Sequence, residues 1–144
     1  MFFKEFKDYL SLEKNYAKHT VTAYIHDLES FSEFIFKAFQ VNDVSSLTYN
    51  QIRNWIVSLI EEGLTNRSIN RKVSSLNTYY KYLLKIEVIS FNPLATHKAL
   101  KIQKTIQVPF SEHEVSKVLN NLSFANDFEG IRNRLIIELF YATG

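Results

Sequence analysis

From Val21 to Ala38 the apolar residues recur at steps of three and four: Val21, Tyr24, Ile25, Leu28, Phe31, Phe34, Ile35 and Ala38. That period matches one face of an α-helix and conflicts with the strict alternation of a half-buried strand. Phe2, Phe3, Phe6, Tyr9, Leu10 and Leu12 predict a short amphipathic helix before it, over 2–13. Ile52, Trp55, Ile56, Leu59 and Ile60 predict a third helix, and Ile69, Val73, Leu76, Tyr79 or Tyr80, Leu83 and Leu84 a fourth. A chain patterned this way must fold as packed helices, so the expected class is all-α. The 144 residues include only 3 Gly and 2 Pro, too few for the many tight turns of a β-sandwich. Hydrophobic residues at 46% exclude intrinsic disorder. With no Cys, disulfide scaffolds and thiolate zinc sites are excluded.

Capping chemistry sets the expected boundaries. Thr20 and Thr48 read as N-caps, since a hydroxyl can accept from a free first-turn amide. Gly63 ends the third helix, where a left-handed residue is least costly as glycine. Asn92-Pro93 breaks the fourth, because the residue before Pro is pushed out of helical space. Ser111 with Glu114 forms a capping box ahead of Val115, Val118, Leu119 and Leu122. A last helix over about 127–141 is apolar on most sides, which demands covering all around. The expected organisation is a four-helix domain over 1–96, a basic linker over 97–110, and the first helices of a second, truncated domain over 111–144. The apolar runs 55–60 and 135–141 are far short of the ~20 residues a membrane span needs. Residues 1–5 lack a signal-peptide pattern. A soluble, cytoplasmic protein is the expectation.

The net charge of +2 conceals an uneven distribution. Residues 1–62 hold 6 Lys/Arg against 9 Asp/Glu, residues 63–110 hold 8 against 1, and residues 111–144 hold 3 against 5. A basic middle third suggests a surface for nucleic acid or an acidic partner.

Active-site patterns are missing. His19, His26, His97 and His113 have no partner at helical spacing, so no metal site is expected. The glycines are isolated, so no phosphate loop forms. The polar face of the fourth helix is the strongest functional feature: Arg67, Ser68, Asn70, Arg71, Lys72, Ser75, Asn77, Thr78 and Lys81. Arg and Lys neutralise phosphates, Arg and Asn read base edges, and Ser and Thr suit phosphate oxygens. Lys18, His19, Thr20 and Thr22 open the second helix in the same style, and Lys101 and Lys104 add charge in the linker. These fifteen residues form the candidate DNA-binding set. A helical protein-interaction module and a helix-turn-helix regulator remain alternatives.

Five segments in order resemble tyrosine recombinases of the Xer type. Residues 16–28 (Tyr-Ala-Lys-His-Thr-Val-Thr-Ala-Tyr-Ile-His-Asp-Leu) resemble the opening signature, with Thr20, Tyr24, Asp27 and Leu28 in place. Residues 68–83 resemble the family's fourth helix, with Asn77 where the family more often has Arg. Asn92-Pro93 and the lysines after it resemble the interdomain linker. Val108-Pro109-Phe110-Ser111 resembles the start of the catalytic domain, and residues 132–144 the helix leading to the first catalytic arginine.

The resemblance implies an N-terminal SAM-like core-binding domain holding double-stranded DNA through the second and fourth helices, and other protomers in a tetramer on paired sites. It implies no cofactor and no membrane. The family's two Arg, its Lys, its His or Trp positions and its Tyr nucleophile all follow the Tyr141-Ala142-Thr143-Gly144 segment. No catalytic residue is therefore expected within 1–144, and Arg132, Arg134 and Tyr141 are not candidates. The absence of an arm-binding domain before the first helix favours a simple two-domain recombinase.

Overall fold

A computed structural model describes residues 3–103, 108–121 and 123–143. All regular structure among them is helical. The chain divides into two compact units, Met1–Gln103 and Lys104–Gly144. The first holds α1 (Phe3–Asp8), α2 (Lys18–Phe39), α3 (Tyr49–Glu61) and α4 (Asn66–Lys85); the second holds α5 (Glu112–Asn121) and α6 (Phe128–Thr143).

In the first unit α1 runs into a π-helical turn over Tyr9–Glu13, and Leu12, expected on the apolar face, is left exposed there. α2 begins at Lys18 with Ala17 as its extended N-cap, so Thr20 lies inside the first turn and is not the cap. The buried row of α2 is Val21, Leu28, Phe31 and Ile35. It meets Trp55 and Leu59 of α3 and the buried row of α4, and the Phe31 and Trp55 rings sit edge to face at 4.8 Å. Aromatic pairs of this kind add about 0.5–1.5 kcal/mol beyond burial. Phe6 of α1 meets Tyr79 of α4 at 5.2 Å. The buried Tyr80 phenol donates to the Val44 carbonyl at 2.8 Å, which ties α4 to the 3-10 turn Val44–Ser46 between α2 and α3.

The expected caps of α3 hold. The Thr48 amide donates to Gln51 Oε1 at 2.9 Å. At the other end Gly63 sits at φ +82°, with Leu64 N–H on Leu59 O and Gly63 N–H on Ile60 O. This paired closure needs a left-handed residue in the middle. α4 starts from Thr65, whose hydroxyl accepts from the Ser68 amide at 3.3 Å. It closes in the same paired geometry as α3, but with Glu87 at φ +59° in the place of a glycine.

In the second unit the Ser111–Glu114 capping box forms as expected: the Ser111 amide donates to Glu114 Oε2 at 2.8 Å and the Glu114 amide to Ser111 Oγ at 3.3 Å. Asp127 caps α6 by accepting from the Gly130 amide at 2.7 Å. Gly130 is obligatory there, because a Cβ would collide with the Ala125 carbonyl. Leu135, Leu139 and Phe140 of α6 are exposed within this chain.

Candidate nucleic-acid interface

Twenty residues at about 100° per step divide α4 into faces with different jobs. Ile69, Val73, Leu76, Tyr80 and Leu83 are buried in the core. Arg67, Arg71, Ser74, Thr78 and Lys81, at steps of four, three, four and three, form one row along the outside. Thr78 is partly covered and the other four are exposed. Asn66, Asn70 and Asn77 form a third row, and Ser75 and Lys72 lie on the side facing α2.

The asparagine row is occupied. Asn70 donates to the Leu100 carbonyl and accepts from the Leu100 amide, both at 2.8 Å. Asn66 donates to the Lys101 carbonyl at 2.9 Å, and Asn77 accepts from Asn92 at 2.8 Å. Residues 92–101 are thereby strapped along α4. His97 meets the Tyr49 hydroxyl through Nδ1 at 3.1 Å, and partial burial pulls its pKa down. Of the candidate set, Asn70 and Asn77 have this structural task in the free chain. Lys101 is exposed beside it, and Lys104 lies outside the described residues.

The most concentrated chemistry lies between α2 and α4. The Asp27 side chain is 2% exposed. Arg71 grips it as a fork, Nη1 on Oδ2 at 2.7 Å and Nη2 on Oδ1 at 3.0 Å. Lys72 Nζ adds a bond to Oδ1 at 3.1 Å, and Ser75 Oγ one to Oδ2 at 2.8 Å. Four donors thus fill both carboxylate oxygens. Burial alone would push the Asp27 carboxyl up; the bonds from Arg71, Ser75 and Lys72 outweigh it and hold the group below its ordinary range. Ser75 is fully buried and has no surface to offer a ligand, because its hydroxyl is spent on Asp27. The exposed serine is its neighbour Ser74. Ser74 is absent from the candidate set read from the sequence, although its spacing with Arg67, Arg71, Thr78 and Lys81 marks it. Asp27 has no structural task there either; its signal is a carboxylate on the apolar face of the helix, three residues after Tyr24 and four before Phe31.

At the start of α2, Lys18, His19, Thr20 and Thr22 are all exposed. Thr22 donates back to the Lys18 carbonyl at 3.0 Å, and Thr20 stands two turns before Asp27 on the same side of the helix. On α4, Ser68 shares the cap with Thr65, the two hydroxyls 3.0 Å apart. Among the described residues no group of three or more His, Asp or Glu could hold a metal ion, and no helix is long and apolar enough to cross a membrane.

Comparison with known proteins gives the class. Residues 3–86 match the family described as phage integrase, N-terminal SAM-like domain. The chain belongs to this family, in agreement with the Xer-type resemblance. Among individual proteins it is 36% identical over 141 residues to the tyrosine recombinase XerC of Anoxybacillus flavithermus, covering 96% of this chain and 46% of that protein. It is 31% identical over 143 residues to the tyrosine recombinase XerC of Bacillus subtilis, covering 99% and 46%. The chain therefore spans about half the length of the curated relatives it matches. No solved structure matches.

Proposed function

We propose that this chain is the DNA-holding part of a Xer-type tyrosine recombinase, gripping one half-site of double-stranded DNA through α2 and α4. The observation that carries the reading is the outer row of α4. Arg67, Arg71 and Lys81 present cations and Ser74 a hydroxyl on one face, with Thr78 among them donating its own hydroxyl to the Ser74 carbonyl at 2.9 Å, and that is the donor chemistry of phosphate contact. Arg71 links this row to α2 through Asp27, and the start of α2 adds Lys18, His19, Thr20 and Thr22. Structural duties remove Ser75 from the contact set and leave Asn70 and Asn77 holding residues 92–101. The working surface is thus narrower than the whole polar face of α4, with Ser74 added.

The relatives' names extend the proposal to the complete enzyme. There a tyrosine attacks a phosphodiester, forming a phosphotyrosyl link and a free 5′-hydroxyl, so that the bond can be rejoined without a cofactor. Arginines stabilise the charge on the phosphate. Protomers assemble four to a pair of sites in the bacterial cytoplasm, for dimer resolution, inversion or integration. Within residues 1–144 none of the family's catalytic positions is assigned.

The test is the salt dependence of binding to duplex DNA. The 144-residue chain binds more weakly as salt rises, and Arg67→Ala and Lys81→Ala each flatten the log–log slope by roughly 0.9. Binding that ignores salt, or slopes unmoved by both substitutions, overturns the reading and returns the chain to the class of helical protein-interaction modules.

A further inference from the structure

The contact between α2 and α4 has a geometry that packing alone does not require. Asp27 takes one hydrogen from each terminal nitrogen of Arg71. A guanidinium has five donor hydrogens in a rigid plane. The adjacent edge, Nε–H with the second hydrogen of Nη2, has no protein partner among the described residues. The Arg71 side chain is 50% exposed, although the carboxylate it grips is almost completely buried. Arg71 is therefore held by its inner edge and open at its outer one.

Charge points the same way. A lone arginine on a lone carboxylate would be neutral and would attract no anion. Here Lys72, only 15% exposed, sits on the same carboxylate. Two cations on one anion leave the cluster with a net charge of +1. Its exposed cation is the immobilised arginine. Arg67, Ser74 and Thr78 continue the row on both sides.

We propose that Asp27 is a positioning residue that fixes Arg71 to grip one backbone phosphate of duplex DNA through the Nε–Nη2 edge, with Lys72 cancelling the charge of Asp27. This rests on the DNA-holding reading above. A fork held in advance loses less freedom on binding, and a two-donor edge matches two phosphate oxygens.

The experiment separates positioning from bulk charge by sign. Asp27→Asn removes a negative charge beside the DNA surface, so charge alone predicts tighter binding. Positioning predicts the reverse: binding of the 144-residue chain to a mixed-sequence duplex falls roughly ten-fold, the loss of one charged hydrogen-bonded contact. Arg71→Lys keeps the charge but cannot hold both partners, and gives a similar loss. The double variant Asp27→Asn/Arg71→Lys loses no more than either alone, because Asp27 acts through Arg71. Circular dichroism at the binding temperature selects conditions in which each variant is folded, and Arg71→Lys leaves the buried carboxylate a cationic neighbour where Asp27→Asn unfolds. Unchanged or tighter binding by folded Asp27→Asn overturns the proposal, as do additive losses in the double variant. A loss seen on duplexes with G·C pairs and absent on A·T-only duplex replaces the phosphate with a base edge and overturns the assignment. Absence of any salt-dependent binding by the wild-type chain overturns the DNA-holding reading itself, a distinct failure.

Discussion

Replacing Asp27 with Ala tests whether the α2–α4 contact is a buried ion cluster or an ornament of the surface. The wild-type carboxylate is 2% exposed and receives four donors. Removing one member of a buried pair costs about 3–5 kcal/mol when its partners stay buried and uncompensated. Here the loss is smaller. Arg71 is half exposed and re-solvates, and Ser75 keeps a longer bond to the Arg71 carbonyl at 3.3 Å. Lys72, at 15% exposure, is the partner left worst off. The expected destabilisation is about 2–3 kcal/mol. For a unit of roughly 100 residues this lowers Tm by about 10–20 °C. Urea unfolding followed by fluorescence reads it directly, because the chain has 1 Trp and Trp55 lies in the core of the first unit. A shift below about 0.5 kcal/mol, the scale of an exposed pair, refutes the burial argument. Acid gives a second check. The folded Asp27 pKa lies below its ordinary 3.8, because its hydrogen bonds outweigh its burial. Its stabilisation is therefore complete above that value and is lost as pH falls through the folded pKa. The gap between wild type and the Asp27→Asn variant narrows over that window. A gap independent of pH there contradicts the assignment.

Two further outcomes follow from the ends of α4. Asn70→Ala removes both bonds to Leu100, at a cost of about 1–2 kcal/mol; trypsin then cuts faster after Lys98 and Lys101, and an unchanged cleavage rate shows that the strap is held elsewhere. Glu87→Gly relieves a left-handed residue at φ +59° in the closing turn of α4, raising stability by roughly 0.5–1 kcal/mol in urea unfolding; a loss shows that the Glu87 side chain holds the turn.

The helices were legible in the sequence because their apolar residues recur with the helical period, and Thr48, Gly63 and Ser111 mark their ends by local chemistry. The start of α2 was not. Thr20 and Ala17 lie within one turn of each other, and the extended backbone of Ala17 starts the helix without a side-chain cap. The candidate site was legible as a helix face, yet not in its division of labour. Periodicity ranks residues by angle around one axis. It separates Ser74 from Ser75 by about 100° but does not say which of them a second helix will cover. Arg71 shows the limit most clearly: one side chain bonds Asp27, forty-four positions away in sequence, and also lies in the outer row. Its dual position depends on how α2 crosses α4. That crossing packs Leu28 and Phe31 against their core partners and is bridged by the four bonds to Asp27. The apolar pattern and these bonds together thus determine where the surface charges stand, and the charges determine what the surface can hold.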